Sequence, residues 1–195
     1  MEDTARKQKH ERDLRATQLK IFRNFCFDQH DKECNQKYDK TLPYSFHLKC
    51  VAAQAMKYAN LVGFTEEETH QVICGAYGHD LIEDARLSYN DIKDGMTVEI
   101  AEIVFLCTEN KGRNRAARKG KEFYEDLVKN KLAVFVKLCD IKANATFSML
   151  TGSGMFKKYA TEWTYIKVYL NEHGKEFSVI FDDLDRLFLE ETISK

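Results

Sequence analysis

The amino-acid sequence predicts an all-α protein, a single-domain helical bundle of about eight to ten helices. Apolar residues recur at three- and four-residue steps along most of the chain, and period-2 alternation with β-branched enrichment is almost absent. One proline (Pro43) and nine glycines in 195 residues are too few to punctuate a sandwich or a barrel. An apolar content of 44% and an aromatic content of 12% supply one real core at this length.

Residues 3–28 read as a polar helix whose apolar face strengthens late, at Leu14, Leu19, Ile21, Phe22, Phe25 and Phe27. On this pattern residues 1–26 form an N-terminal helical extension, and residues 27–195 form the main domain with its C-terminal helices. Asp28 to Leu42 is a polar connection, a loop or a broken helix. Ser45 is the expected N-cap of a helix carrying Leu48, Val51, Ala52, Ala55 and Ala59 and ending near Gly63. Thr65-Glu-Glu-Glu68 opens the next helix with a capping box. Ser88-Tyr-Asn-Asp91 caps a short helix that stops at Gly95, and Val98 to Leu106 marks another. Leu132 to Leu150 is a long buried helix stopped by Gly152-Ser153-Gly154, and residues 155–171 and 176–190 complete the bundle. Trp163, Tyr165 and Tyr169 are core and surface of a late helix.

A net charge of −1 provides no global field to recruit nucleic acid or an anionic membrane. The six cysteines are scattered without a C-x-x-C, the pattern of reduced thiols in a cytosolic protein. The first twenty residues lack an apolar h-region, and no apolar run approaches a membrane span. A soluble, cytoplasmic protein is expected.

The polar residues that interrupt the core pattern carry the chemistry. In the helix that Thr65 opens, expected to run on through Tyr77 to Ala85, an apolar stripe (Val72, Ile73, Ala76, Tyr77) leads directly into His79-Asp80 and then Glu83-Asp84, which stand i,i+3 and i,i+4 from Asp80 on one helix face. Three carboxylates brought together beside a core lose hydration and repel one another, and a bound cation resolves both costs. His47 flanks the core stripe of its helix, and Asp140 ends the apolar run Leu132-Ala-Val-Phe-Val-Lys-Leu-Cys-Asp. Imidazole nitrogen and carboxylate oxygen suit Mn²⁺, Fe²⁺ or Zn²⁺, and two His with two Asp leave positions open for water or a substrate oxygen. Asn144, one turn after Asp140, faces the same way and can hold a substrate group or a ligand carboxylate. Taken singly these residues have plainer readings: His47 as a satisfied core histidine, Asp140 as an ion-pair partner of Lys137 or Lys142, Glu83-Asp84 as a solvated helix end.

The order His47, His79-Asp80, Asp140 resembles the H…HD…D signature of HD-domain metal-dependent phosphohydrolases. Pro43-Tyr-Ser-Phe-His47 resembles the P-Y-x-x-H of the RelA/SpoT hydrolase domain, His79-Asp80-Leu-Ile-Glu83-Asp84 its H-D-x-x-E-D, and Val136-Lys-Leu-Cys-Asp140-Ile-Lys-Ala-Asn144 its V-K-L-A-D-x-x-x-N. The resemblance covers Phe27 to Asn144 and continues more weakly through the last two helices. It implies an HD helical bundle that acts as a SpoT-type hydrolase, like the small alarmone hydrolases and their metazoan homologue. Such enzymes use Mn²⁺ to remove the 3′-pyrophosphate of the nucleotide (p)ppGpp, giving GDP or GTP. Carried over, His47, His79, Asp80 and Asp140 hold the ion, Glu83 and Asp84 orient and deprotonate the attacking water, and Asn144 supports substrate or metal.

Where the family carries a base-reading arginine before P-Y-x-x-H, this chain has none between His30 and Tyr38 and offers Lys32 and Lys37. The basic segment Lys111 to Lys121 reads either as a solvated loop or as a lid bringing Lys111, Arg113 or Arg115 to substrate phosphates. Other readings are an HD phosphohydrolase acting on a nucleoside mono- or triphosphate or on NADPH, and a non-catalytic nucleotide sensor. The intact Glu83-Asp84 pair counts against the sensor.

Overall fold

The computed structural model of the protein describes residues 2–109 and 118–193. Among them the chain is helical almost throughout. In chain order the helices are α1 (Glu2–Phe27), α2 (Ser45–Leu61), α3 (Glu66–Gly78), α4 (Tyr89–Gly95), α5 (Val98–Cys107), α6 (Lys121–Leu127), α7 (Lys131–Leu150), α8 (Met155–Leu170) and α9 (Ser178–Ile193). The polar connection after α1 is a π-helical turn, Asp28–Glu33, followed by a small antiparallel hairpin of β1 (Lys37–Tyr38) and β2 (Leu42–Pro43). None of the described helices is long and apolar enough to cross a membrane.

Local signals explain most boundaries. Thr65 and Ser88 each form a capping box, with Glu68 and Asp91 returning to the cap backbone. Asn130 caps α7 by accepting from the N–H groups of Leu132 and Ala133. The start of α2 differs from expectation. Ser45 is already the first helical residue, and its N–H donates to Asp31 Oδ1 at 3.0 Å. A carboxylate fourteen residues upstream thus does the capping that the sequence assigns to the serine.

The core is organised around α7. From Ala133 to Ile141 each residue is buried whichever way it faces, as expected of a helix enclosed on all sides. Helices α2, α3, α5 and α8 pack around it. The C-terminal end of α1 joins this core through Phe22 and Cys26.

Gly75 lets α3 close on its neighbours. A Cβ there would lie 2.6 Å from Ile103 Cγ2 and 3.2 Å from Val136 Cγ2. Both are fully buried with no room to retreat. Gly75→Ala is therefore expected to lower stability by about 1–3 kcal/mol through overpacking, read from the denaturation midpoint at unchanged slope. A wild-type midpoint would show that α3 and α5 have slack.

Candidate functional site

His47 sits in the first turn of α2, His79 and Asp80 directly follow α3, and Asp140 lies midway along α7. The close packing of these helices brings the four side chains together. His79 Nε2 is 2.9 Å from Asp80 Oδ2 and 3.7 Å from Asp140 Oδ1. His47 Nε2 is 3.3 Å from His79 Nε2, 3.3 Å from Asp140 Oδ1 and 3.6 Å from Asp80 Oδ2. Both imidazoles are almost wholly buried.

His79 Nδ1 lies 2.9 Å from the carbonyl oxygen of Ala76, an acceptor, so Nδ1 carries a hydrogen and Nε2 is the nitrogen left to bind either a proton or an ion. Nε2 then faces two carboxylate oxygens and a second imidazole nitrogen, an arrangement that calls for a positive charge at its centre. Donors about 2.1 Å from an ion are about 3.0 Å apart at octahedral angles and about 3.4 Å apart at tetrahedral angles. The observed separations bracket both values. One ligand atom each from His47, His79 and Asp80 falls within a 4.8 Å group, and Asp140 Oδ1 reaches both imidazoles. This nitrogen and oxygen donor set fits a divalent ion.

The field at the site agrees. Burial pulls the His79 pKa down, but the Asp80 and Asp140 carboxylates outweigh it and push it up to about 10. Burial raises the Asp80 carboxyl, and the facing His79 more than reverses the effect, leaving it well below the usual range. Asp140 is likewise depressed, chiefly by the Lys137 ammonium 3.2 Å away against the pull of burial.

The two further carboxylates are arranged differently from expectation. Helix α3 stops at Gly78, and the chain proceeds in turns closed by Leu81 N–H to Gly78 O and Asp84 N–H to Asp80 O. Glu83 and Asp84 consequently do not stand side by side on one helix face. Glu83 accepts from the Glu109 N–H at 3.2 Å, whereas Asp84 accepts from Gln36 Nε2 at 2.8 Å. Both still line one cavity of about 140 Å³ with His47, Asp80, Asp140 and Asn144. Burial, then the Glu109 carboxylate, raise the Glu83 pKa. Asn144 Nδ2 donates to Asp140 Oδ1 at 2.5 Å, and its Oδ1 accepts from the Tyr38 hydroxyl at 2.9 Å.

Lys32 is exposed and paired with Asp28 at 2.8 Å, and Lys37 is exposed on β1; neither lines the cavity. Lys111, Arg113 and Arg115 lie outside the described residues. Several residues enter that sequence reasoning missed. The Tyr44 hydroxyl donates to Asp80 Oδ2 at 2.5 Å, and the Tyr38 ring stacks on His47 with centroids 4.9 Å apart. Lys137, which the sequence already offers as an ion-pair partner of Asp140, is buried and pairs with both Asp140 and Glu109. Glu109 leaves no trace in the local pattern.

Because an ion competes with a proton for the His79 Nε2 lone pair, affinity for Mn²⁺ or Zn²⁺ is expected to rise with pH. Calorimetric titration should give tighter binding at pH 8 than at pH 6, by up to about tenfold per pH unit for each proton displaced. Equal affinities would remove His79 from the donor set.

No family model matches the chain, and no curated protein matches it by sequence. Its structure is similar to that of a solved metazoan orthologue of SpoT, described as hydrolysing ppGpp and playing a role in starvation responses. The TM-score is 0.69 over 89% of this chain and 95% of the other, at 19% sequence identity. The chain therefore shares the fold of this SpoT orthologue over most of its length.

Proposed function

We propose that the chain is a divalent-metal-dependent phosphohydrolase that removes the 3′-pyrophosphate of (p)ppGpp, with Mn²⁺ as the ion held by His47, His79, Asp80 and Asp140. The observation that carries this reading is that His47 and His79 each lie within 3.7 Å of both Asp80 and Asp140, beside a cavity whose wall also holds Glu83 and Asp84. The fold shared with the metazoan SpoT orthologue supports it.

A divalent ion supplies Lewis acidity there, drawing charge from phosphoryl oxygens and making water more acidic. The chain's own residues do the rest. Glu83 takes the proton of the attacking water, and its raised pKa brings it nearer to neutrality, where a general base works best. Asp84, fixed by Gln36, orients that water. Water oxygen bonds to the phosphorus next to O3′, the phosphorus–O3′ bond breaks, pyrophosphate leaves and O3′ gains a proton. Lys137 offsets the charge of Asp140 and Glu109 as the anion enters. The cavity is smaller than the roughly 300 Å³ at the low end of ligand sites, so it suits the phosphoryl end while the nucleoside extends beyond it. All six cysteines are unpaired, which suits a cytoplasmic place of work.

The position of Lys32 and Lys37 away from the cavity keeps a second reading in play, the same chemistry on a nucleoside mono- or triphosphate or on NADPH. A metal-supplemented screen of phosphorylated nucleotides, read by the product released, separates the two. Purified protein with Mn²⁺ is expected to release pyrophosphate from ppGpp and to lose that activity to EDTA. Asp80→Ala should lose both ion and turnover. Glu83→Ala should keep the ion and lose about 10²-fold or more in kcat. Wild-type turnover by Glu83→Ala would make the general-base assignment wrong.

A further inference from the structure

The cavity that takes the reacting phosphorus leaves the base to be held elsewhere, and Asp84 marks the way out. This carboxylate is also part of the wall of a second cleft of about 500 Å³, lined by Glu33, Cys34, Gln36 and Arg86. That volume is in the range of small-molecule sites.

Two groups in the cleft are uncommitted. Arg86 and Glu33 are exposed, and neither side chain has a hydrogen bond or ion pair with another described residue. They do not pair with each other, although they line one cleft. Arg86 also has φ +62°, in the left-handed region that glycine and asparagine occupy with least strain. The turn carrying it is closed by Leu87 N–H to Leu81 O at 3.2 Å. A long cation placed where the backbone favours a small residue points to a task for its side chain. Gln36, by contrast, is committed: its Oε1 lies 2.6 Å from buried His30 Nδ1, and its Nε2 donates to Asp84. It forms a fixed wall.

We infer that this cleft reads the base of the substrate as guanine, with Arg86 donating to O6 and N7 and Glu33 accepting from N1–H and the N2 amino group. The inference rests on the proposed nucleotide-hydrolase function and deepens it. The planar guanidinium fork matches the two acceptors on one edge of guanine. A carboxylate matches the two donors on the other. Adenine presents an amino group where guanine has O6, opposing the Arg86 donors, and it has no N1–H for Glu33. The guanidinium absent between His30 and Tyr38 is thus supplied from the turn that follows Asp84.

The test is equilibrium binding of ppGpp and its adenosine counterpart to the full chain with Mn²⁺, using Glu83→Gln wherever turnover would consume the ligand. The wild-type preference for guanine is expected to be at least about tenfold, within the range one bidentate base contact supplies. Arg86→Asn and Glu33→Gln should each abolish it. Asparagine tolerates the left-handed backbone, so an unchanged or higher Tm for Arg86→Asn separates lost reading from lost folding. Equal affinities in the wild type, binding of neither nucleotide, or a preference that survives both substitutions would overturn the assignment. Guanine-selective binding without hydrolysis counts against the proposed reaction and leaves the cleft standing. Hydrolysis without selectivity does the reverse.

Discussion

Two buried imidazoles that face each other at 3.3 Å, each with both Asp80 and Asp140 within 3.7 Å, are the constraint to which the rest of this bundle answers. With neither a proton nor an ion among them the donors would repel, and the helices bearing them would be pushed apart. They stay together because the packing behind them is close: Gly75 admits Ile103 and Val136, and α7 is enclosed along nine consecutive residues. The apolar core thus acts as a press that keeps a polar cluster in a geometry only a positive charge can relieve. Lys137 performs a similar service one layer out, its buried ammonium placed between Asp140 and Glu109. A buried ion pair of this kind contributes little net stability, because desolvation offsets the attraction. Its value lies in fixing where the charges are.

Much of this was legible in the chain, for a physical reason. Burial and periodicity are local properties, so His79-Asp80 at the end of an apolar stripe and Asp140 at the end of another announced themselves as polar groups heading into a core. The capping boxes at Thr65 and Ser88 were equally local and stand as read. The chain falls short where a long-range contact replaces a nearby one. Asp31 takes over the cap of α2 from Ser45, and Glu109 reaches Glu83 across 26 residues. The end of α3 at Gly78 was hidden because turns with i,i+4 bonds, such as Asp84 N–H to Asp80 O, keep helical spacing without the helix. Periodicity cannot tell these apart.

The divergence of Glu83 and Asp84 has mechanistic content. Here Glu83 is drawn toward a buried acidic neighbour, and Asp84 toward an amide at the cavity's outer wall. In the proposed reaction the raised pKa suits Glu83 to take a proton, and the contact with Gln36 suits Asp84 to orient the water.

The hairpin between α1 and α2 has only two residues in each strand, too few to be stable alone. Yet Tyr38 within it and Tyr44 directly after it reach inward to Asn144 and to Asp80. Its order is borrowed from the cluster it touches. Solvent exchange of the hairpin amides and the state of the Asp80 and Asp140 carboxylates are consequently two faces of one equilibrium, and whatever loosens one loosens the other.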